Sequence, residues 1–62
     1  MEKWTGILVG RMHNERVTLQ MLADELNLSK SYISLILNGK RKPPNAKEKL
    51  NEAFKSILEK RA

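Results

Sequence analysis

The run from Thr18 to Pro43, TLQMLADELNLSKSYISLILNGKRKP, holds two short segments of helical periodicity with only Asn27, Leu28 and Ser29 between them. Leu19, Leu22, Ala23 and Leu26 recur at intervals of three and four, and so do Tyr32, Ile33, Ile36 and Leu37. Each segment therefore has one apolar stripe and one polar face. Between them Asn27 tolerates left-handed backbone angles, and the Ser29 hydroxyl can cap the exposed N–H groups of a new helix. The link is a sharp turn, which forces the two helices out of line.

Two helices held at a large angle by a short turn form the helix-turn-helix unit, whose second helix lies in the major groove of DNA. Such a crossing needs a small residue at closest approach. Ala23 fills that place, flanked by Leu22 and Leu26, with Ile33 as its neighbour across the joint. An ordinary helical hairpin in a small bundle would share this periodicity. What such a hairpin leaves unexplained is the exit from the second segment, Asn38 and Gly39 followed by the cations Lys40, Arg41 and Lys42.

The charge distribution carries the same message. The chain has a net charge of +5 and a pI near 9.9, which makes an anionic partner the natural inference. Residues 1–28 hold three cations against four carboxylates, a net −1, whereas residues 29–62 hold nine against three, a net +6. The positive charge begins with the second segment and continues through the loop after it, a placement that a generally lysine-rich surface does not predict.

Sixty-two residues are expected to make one domain, 1–62, near the lower limit at which a core holds without disulfides or metal. With no cysteine, neither a disulfide framework nor a thiolate zinc site is available, and a cytoplasmic setting fits. No stretch approaches the roughly 20 apolar residues of a membrane span, and the N-terminus lacks the layout of a signal peptide.

Leu22-Ala23, Leu26-Asn27-Leu28-Ser29, Ser31, Ile33-Ser34, Ile36 and Asn38-Gly39-Lys40-Arg41-Lys42-Pro43 follow one another in a recognisable order. In these positions the chain resembles the lambda-repressor-like (Cro/C1-type) family, without gaps from Thr18 through Pro43. The resemblance implies an all-α fold, a compact four-helix bundle containing a helix-turn-helix, and sequence-specific binding of double-stranded DNA by a small transcriptional regulator, a repressor. Two departures matter. Many members carry Gln as the first residue of helix 2, a phosphate clamp, whereas here that residue is Leu19 and the glutamine is Gln20. Many also bury an Arg of helix 1 against a Glu at the end of helix 3, where this chain has Met12 and Leu37. An apolar pair avoids the desolvation cost of two buried charges, so that exchange is compatible with the fold.

Pattern and caps predict helix 1 from about Glu2 to Asn14, with Trp4, Leu8 and Met12 on one stripe, Ile7 beside it, and Trp4 as the largest source of buried area. Gly6 and Gly10 each lower its propensity by roughly 1 kcal/mol, so packing must hold it. Thr18 is the expected N-cap of helix 2, Leu19 to Leu26, with Val17 covering its stripe. Helix 3 begins after Ser29 and stops near Asn38-Gly39. Pro43 and Pro44 block helix, and Asn45 offers a cap for a last helix reaching about Lys60, with Ala46, Leu50, Ala53, Phe54, Ile57 and Leu58 as its stripe. Its second half is expected to outrun so small a bundle. Phe54, Ile57 and Leu58 then form either a slightly long closing helix or the surface of a homodimer.

With Ile33 and Ile36 directed inward, Lys30, Ser31, Ser34 and Leu35 point outward, at positions that match the family's base-reading residues. Lys30 could donate to guanine O6 or N7, the serines pair with several bases, and Leu35 pack on a thymine methyl. Asn38, Lys40, Arg41 and Lys42 sit where relatives hold the DNA backbone, and Ser29 offers the helix 3 N-terminus as an anion site. Tyr32 gives its hydroxyl to a phosphate or covers the core edge, and Gln20 is a further phosphate candidate despite its shifted place. Tight binding by so small a unit would need two copies on half-sites about one helical turn apart.

Catalysis has little support, since His13 is the lone histidine and no nucleophile, carboxylate cluster, phosphate loop or metal-ligand spacing accompanies it. No cofactor and no small-molecule ligand is expected. The rival function is a protein-interaction adaptor, antitoxin-like or antirepressor-like, using the apolar stripe of helix 4. It leaves the basic loop unexplained. Membrane-surface attachment through helix 4 is weaker still, because glutamates alternate with its lysines.

Overall fold

The computed structural model of the protein describes residues 3–61, which form four helices, α1 (Lys3–Glu15), α2 (Leu19–Leu26), α3 (Lys30–Leu37) and α4 (Ala46–Arg61). The bounds of α2 and α3 are those the caps predict. The start expected at Glu2 for α1 lies outside the described residues.

The boundaries of α2 and α3 have local chemical causes. Thr18 stands in extended backbone, and its Oγ1 accepts from the Met21 N–H at 3.1 Å, while the Met21 sulfur accepts from the Thr18 N–H at 3.4 Å. Methionine thus takes the place that Glu or Gln holds in the usual reciprocal cap. Ser29 does the same for α3, its Oγ accepting from the Tyr32 N–H at 3.1 Å.

Three of the four helices end alike, on a residue in left-handed backbone. Arg16 (φ 59°), Asn27 (φ 58°) and Gly39 (φ 77°) follow α1, α2 and α3. The next N–H then returns to the last turn: Val17 to the Met12 carbonyl at 2.8 Å, Leu28 to Ala23 at 2.9 Å, Lys40 to Leu35 at 2.9 Å. Asn27 and Gly39 are residues suited to this conformation, and Arg16 is not. It is held from outside, since the Arg61 guanidinium donates to the carbonyls of Glu15 at 2.6 Å and Arg16 at 3.3 Å.

Asn45 works differently from the expected cap. Its φ of 61° is left-handed rather than extended, and it serves as the third residue of a turn in which the Ala46 N–H donates to the Pro43 carbonyl. The Asn45 carbonyl still accepts the first helical bond of α4, from Lys49 at 2.9 Å.

The core gathers Leu8 and Met12 of α1, Val17 of the link that follows, Leu22 and Ala23 of α2, Ile33, Ile36 and Leu37 of α3, and Leu50, Ala53, Phe54 and Ile57 of α4. Ala23 and Ile33 are wholly shielded, as the crossing requires. Met12 and Leu37 are both buried and line one groove, so the family's ion pair is replaced by apolar packing.

Four expectations about the core are corrected. Phe54, 1% exposed, is the largest fully buried side chain, while Trp4 is only partly covered. Ile7 turns outward and is 60% exposed. Thr5, which the apolar pattern overlooked, is buried instead. Finally, Phe54 and Ile57 belong to the core, leaving only Leu58 of the proposed dimer surface partly exposed.

The last correction has a mechanical cause. The second half of α4 does not overhang the bundle, because Glu25 of α2 accepts from the Ser56 hydroxyl at 3.0 Å and from the Lys60 ammonium at 2.9 Å. The Lys60 ammonium, and after it the Ser56 hydroxyl, holds the Glu25 carboxyl below the usual glutamate range. Arg61 then reaches the end of α1, and the Arg11 guanidinium lies 4.8 Å from the centre of the Phe54 ring. No helix among the described residues is long and apolar enough to cross a membrane.

Candidate nucleic-acid interface

Helical periodicity splits α3 into two faces. Ile33, Ile36 and Leu37 enter the core, and Lys30 and Ser31 are exposed. Ser34 and Leu35 complete the outward row but are half-buried, Leu35 less open than the pattern suggests. Its carbonyl explains part of this: it accepts from the N–H groups of both Lys40 at 2.9 Å and Arg41 at 3.3 Å, which folds the basic loop back over the last turn of α3.

The loop needs Gly39 for that return. A side chain there would face open space, but the φ of 77° strains any L residue, at a cost of order 1 kcal/mol. Lys40, Arg41 and Lys42 consequently leave the helix end together, all exposed. Among the described residues no ion pair engages them or Lys30.

The polar residues of this surface are partly pre-set. Asn38 donates through Nδ2 to the Ser34 carbonyl at 2.9 Å and to the Ser34 hydroxyl at 3.2 Å, so the Ser34 O–H is left pointing its proton elsewhere, as a donor. The Ser29 oxygen is used in capping, and its proton likewise remains for an outside acceptor. Tyr32 lies along the edge of the core, in an open groove of about 480 Å³ shared with Leu28, Ile36, Pro43 and Lys49. Gln20 is the residue not brought to this surface's other members: its Nε2 donates to Asp24 along α2 at 2.8 Å.

Two residues near the surface were missed by pattern reading. Lys49 borders the Tyr32 groove, and His13 borders a second groove with Ser34 and Asn38. Only the Lys49 position had a signal, the return of cations at Lys47 and Lys49 after the proline turn.

The model of the helix-turn-helix family matches residues 14–47, from the end of α1 to the first turn of α4. The chain belongs to the helix-turn-helix family. The match bears out the resemblance to lambda-repressor-like proteins and the all-α, four-helix architecture, and it makes the chain one of a family of DNA-binding regulators. No curated protein and no solved structure matches the chain. As a helix-turn-helix protein, it has α2 as the supporting helix and α3 as the one whose outer face is left uncovered.

Proposed function

We propose that this helix-turn-helix protein binds double-stranded DNA sequence-specifically, with α3 in the major groove, and acts in the cytoplasm as a transcriptional repressor by occupying promoter DNA. Lys30, Ser31, Ser34 and Leu35 read base edges; Ser29, Asn38, Lys40, Arg41 and Lys42 hold phosphates. Tyr32, which lines the groove beside α3, adds a phosphate contact only through its hydroxyl, and Gln20 only by leaving Asp24.

The observation that carries this reading is the set of four cations, Lys30, Lys40, Arg41 and Lys42, exposed and without an ion-pair partner among the described residues, around an outward row whose opposite face is core. Cations grouped on one surface with no carboxylate to neutralise them favour a polyanion. The adaptor alternative is disfavoured because Phe54 and Ile57, the heart of the stripe it would use, are committed to the core. A homodimer on paired half-sites would have to use another surface, and the single domain 1–62 would then bind as one unit per half-site.

The test replaces Lys40, Arg41 and Lys42 together by Ala and measures affinity for random-sequence duplex at low salt. Binding should weaken by at least tenfold, and the slope of log affinity against log salt should fall by roughly 0.9 for each lost phosphate contact. Unchanged affinity and slope would reject the reading.

A further inference from the structure

The groove lined by Tyr32 has no part in the DNA-binding reading beyond that residue's hydroxyl. Its volume is about 480 Å³, and it lies where the turn after α2, one flank of α3 and the first turns of α4 meet. Ile36 and Leu50, 4% and 1% exposed, belong to its lining and to the core at once. Leu28, 43% exposed, adds apolar surface that folding leaves in water.

Two polar side chains interrupt these walls, and both can donate. Among the described residues no ion pair engages the Lys49 ammonium and no hydrogen bond engages the Tyr32 hydroxyl. Lys49 is also the one charged residue in the lining. Its acidic neighbours on α4, Glu48 and Glu52, border a different groove together with Lys47. The cleft therefore has a cation and no carboxylate of its own.

That combination selects an occupant. Apolar walls with a few placed polar groups, around a volume of roughly 300–1,000 Å³, are the make-up of a small-molecule site. A nucleic-acid phosphate would use Lys49 and gain nothing from the walls, whereas an organic body gains by displacing water from Leu28 and the floor below it. A stable protein–protein interface needs roughly 1,000 Å² or more of buried surface, and this cleft has room for little beyond one ring and a short tail. Lys49 asks for an anion and Tyr32 for an acceptor. A carboxylate meets both.

We propose that this cleft is a binding site for a small organic carboxylate with an aromatic or branched aliphatic body. The body lies against Leu28, Ile36 and Leu50, and the carboxylate accepts from the Lys49 ammonium and the Tyr32 hydroxyl. The inference goes beyond DNA binding and does not rest on it, because Tyr32 and Ile36 occupy a different flank of α3 from Lys30, Ser31 and Ser34.

The test follows backbone amide NMR signals of the whole chain during titration with three probes of one carbon skeleton: 3-phenylpropionate, 3-phenylpropanamide and 3-phenylpropylammonium. The carboxylate should bind with a Kd on the order of 1 mM and shift the amides of Leu28, Tyr32, Ile36 and Lys49 most. The neutral amide should bind about threefold more weakly, and the ammonium more weakly still. In Lys49→Gln the carboxylate should fall to the level of the amide, whereas Leu28→Ser should weaken all three probes by about threefold. Both side chains are exposed, and melting curves equal to the native one establish that each variant keeps the fold. The proposal is overturned if 3-phenylpropionate moves no amide of the cleft up to about 20 mM, if the neutral amide binds as tightly, or if Lys49→Gln keeps the preference for the carboxylate.

Discussion

Two cationic helix ends, Lys40-Arg41-Lys42 after α3 and Lys60-Arg61 at the end of α4, look alike in the sequence and are used in opposite ways. Lys60 is paired with Glu25, and Arg61 is bonded to the α1 exit. Lys40, Arg41 and Lys42 meet no carboxylate among the described residues. The backbone explains the difference. The α3 end leaves through Gly39 into an exposed loop tied back to the Leu35 carbonyl, while α4 packs along α2 and delivers its last turn to Glu25. A run of like charge gives a sign, and the placement of its partners decides whether that charge is spent inside the molecule or kept for a ligand.

The comparison can be broken most forcefully at the root of the α4 end. Phe54→Ala should cost about 3–5 kcal/mol, because a fully buried ring leaves a cavity and the Arg11 guanidinium loses the face it covers. For a domain this small that approaches its whole stability, so calorimetry should find a largely unfolded chain at 37 °C. A melting curve close to native would mean that α4 does not close the core.

A matched pair of single substitutions sharpens the contrast. Arg61→Ala should lower stability by about 1 kcal/mol and Tm by roughly 4–8 °C, because the α1 exit loses its donor at a strained Arg16, while the salt slope of duplex binding stays as it was. Arg41→Ala should do the reverse, leaving Tm within about 1 °C and reducing the slope by roughly 0.9. Should both variants change the same quantity, the distinction between the two ends is wrong.

The smallest effect concerns pH. The Glu25 carboxyl is held below its ordinary value of 4.5 by Lys60 and Ser56, so its contribution is complete above that value and is lost as pH falls through the lower, folded one. Glu25→Gln should therefore be less stable than the native protein at neutral pH, and the two melting temperatures should converge as acidification takes the pH below the ordinary glutamate value. Parallel curves down to the acid limit would remove Glu25 from the account of how α4 is held.

Most of the architecture was legible from local chemistry. Thr18, Asn27, Ser29 and Gly39 set the limits of α2 and α3, because caps and left-handed exits act within one turn. The outward face of α3 was legible for the same reason, since its period is intrinsic to the helix. What could not be read joins residues far apart in the chain: Glu25 with Ser56 and Lys60, or Arg61 with Glu15 and Arg16. Without those long-range ties the end of α4 seems to overhang, and Phe54 and Ile57 look available when they are core. Ile7 and Trp4 were misjudged through a related gap, because a pattern gives the direction of a stripe and not how far the neighbouring helices reach across it. The Gln20–Asp24 and Asn38–Ser34 bonds, in contrast, lie four residues apart on one helix face and were within reach of spacing rules.

One carbonyl oxygen sets a scale for the whole interface. Because the Leu35 oxygen takes two consecutive amides of the basic loop, α3 and the cations behind it cannot rotate or slide independently. If the proposed DNA reading holds, the molecule would carry a fixed calliper, with one jaw for the base edges and the other for the backbone. On that reading, a shift of one base pair in the register of one jaw would drag the other off its phosphates, and the choice of sequence and the strength of grip would be settled in a single docking event.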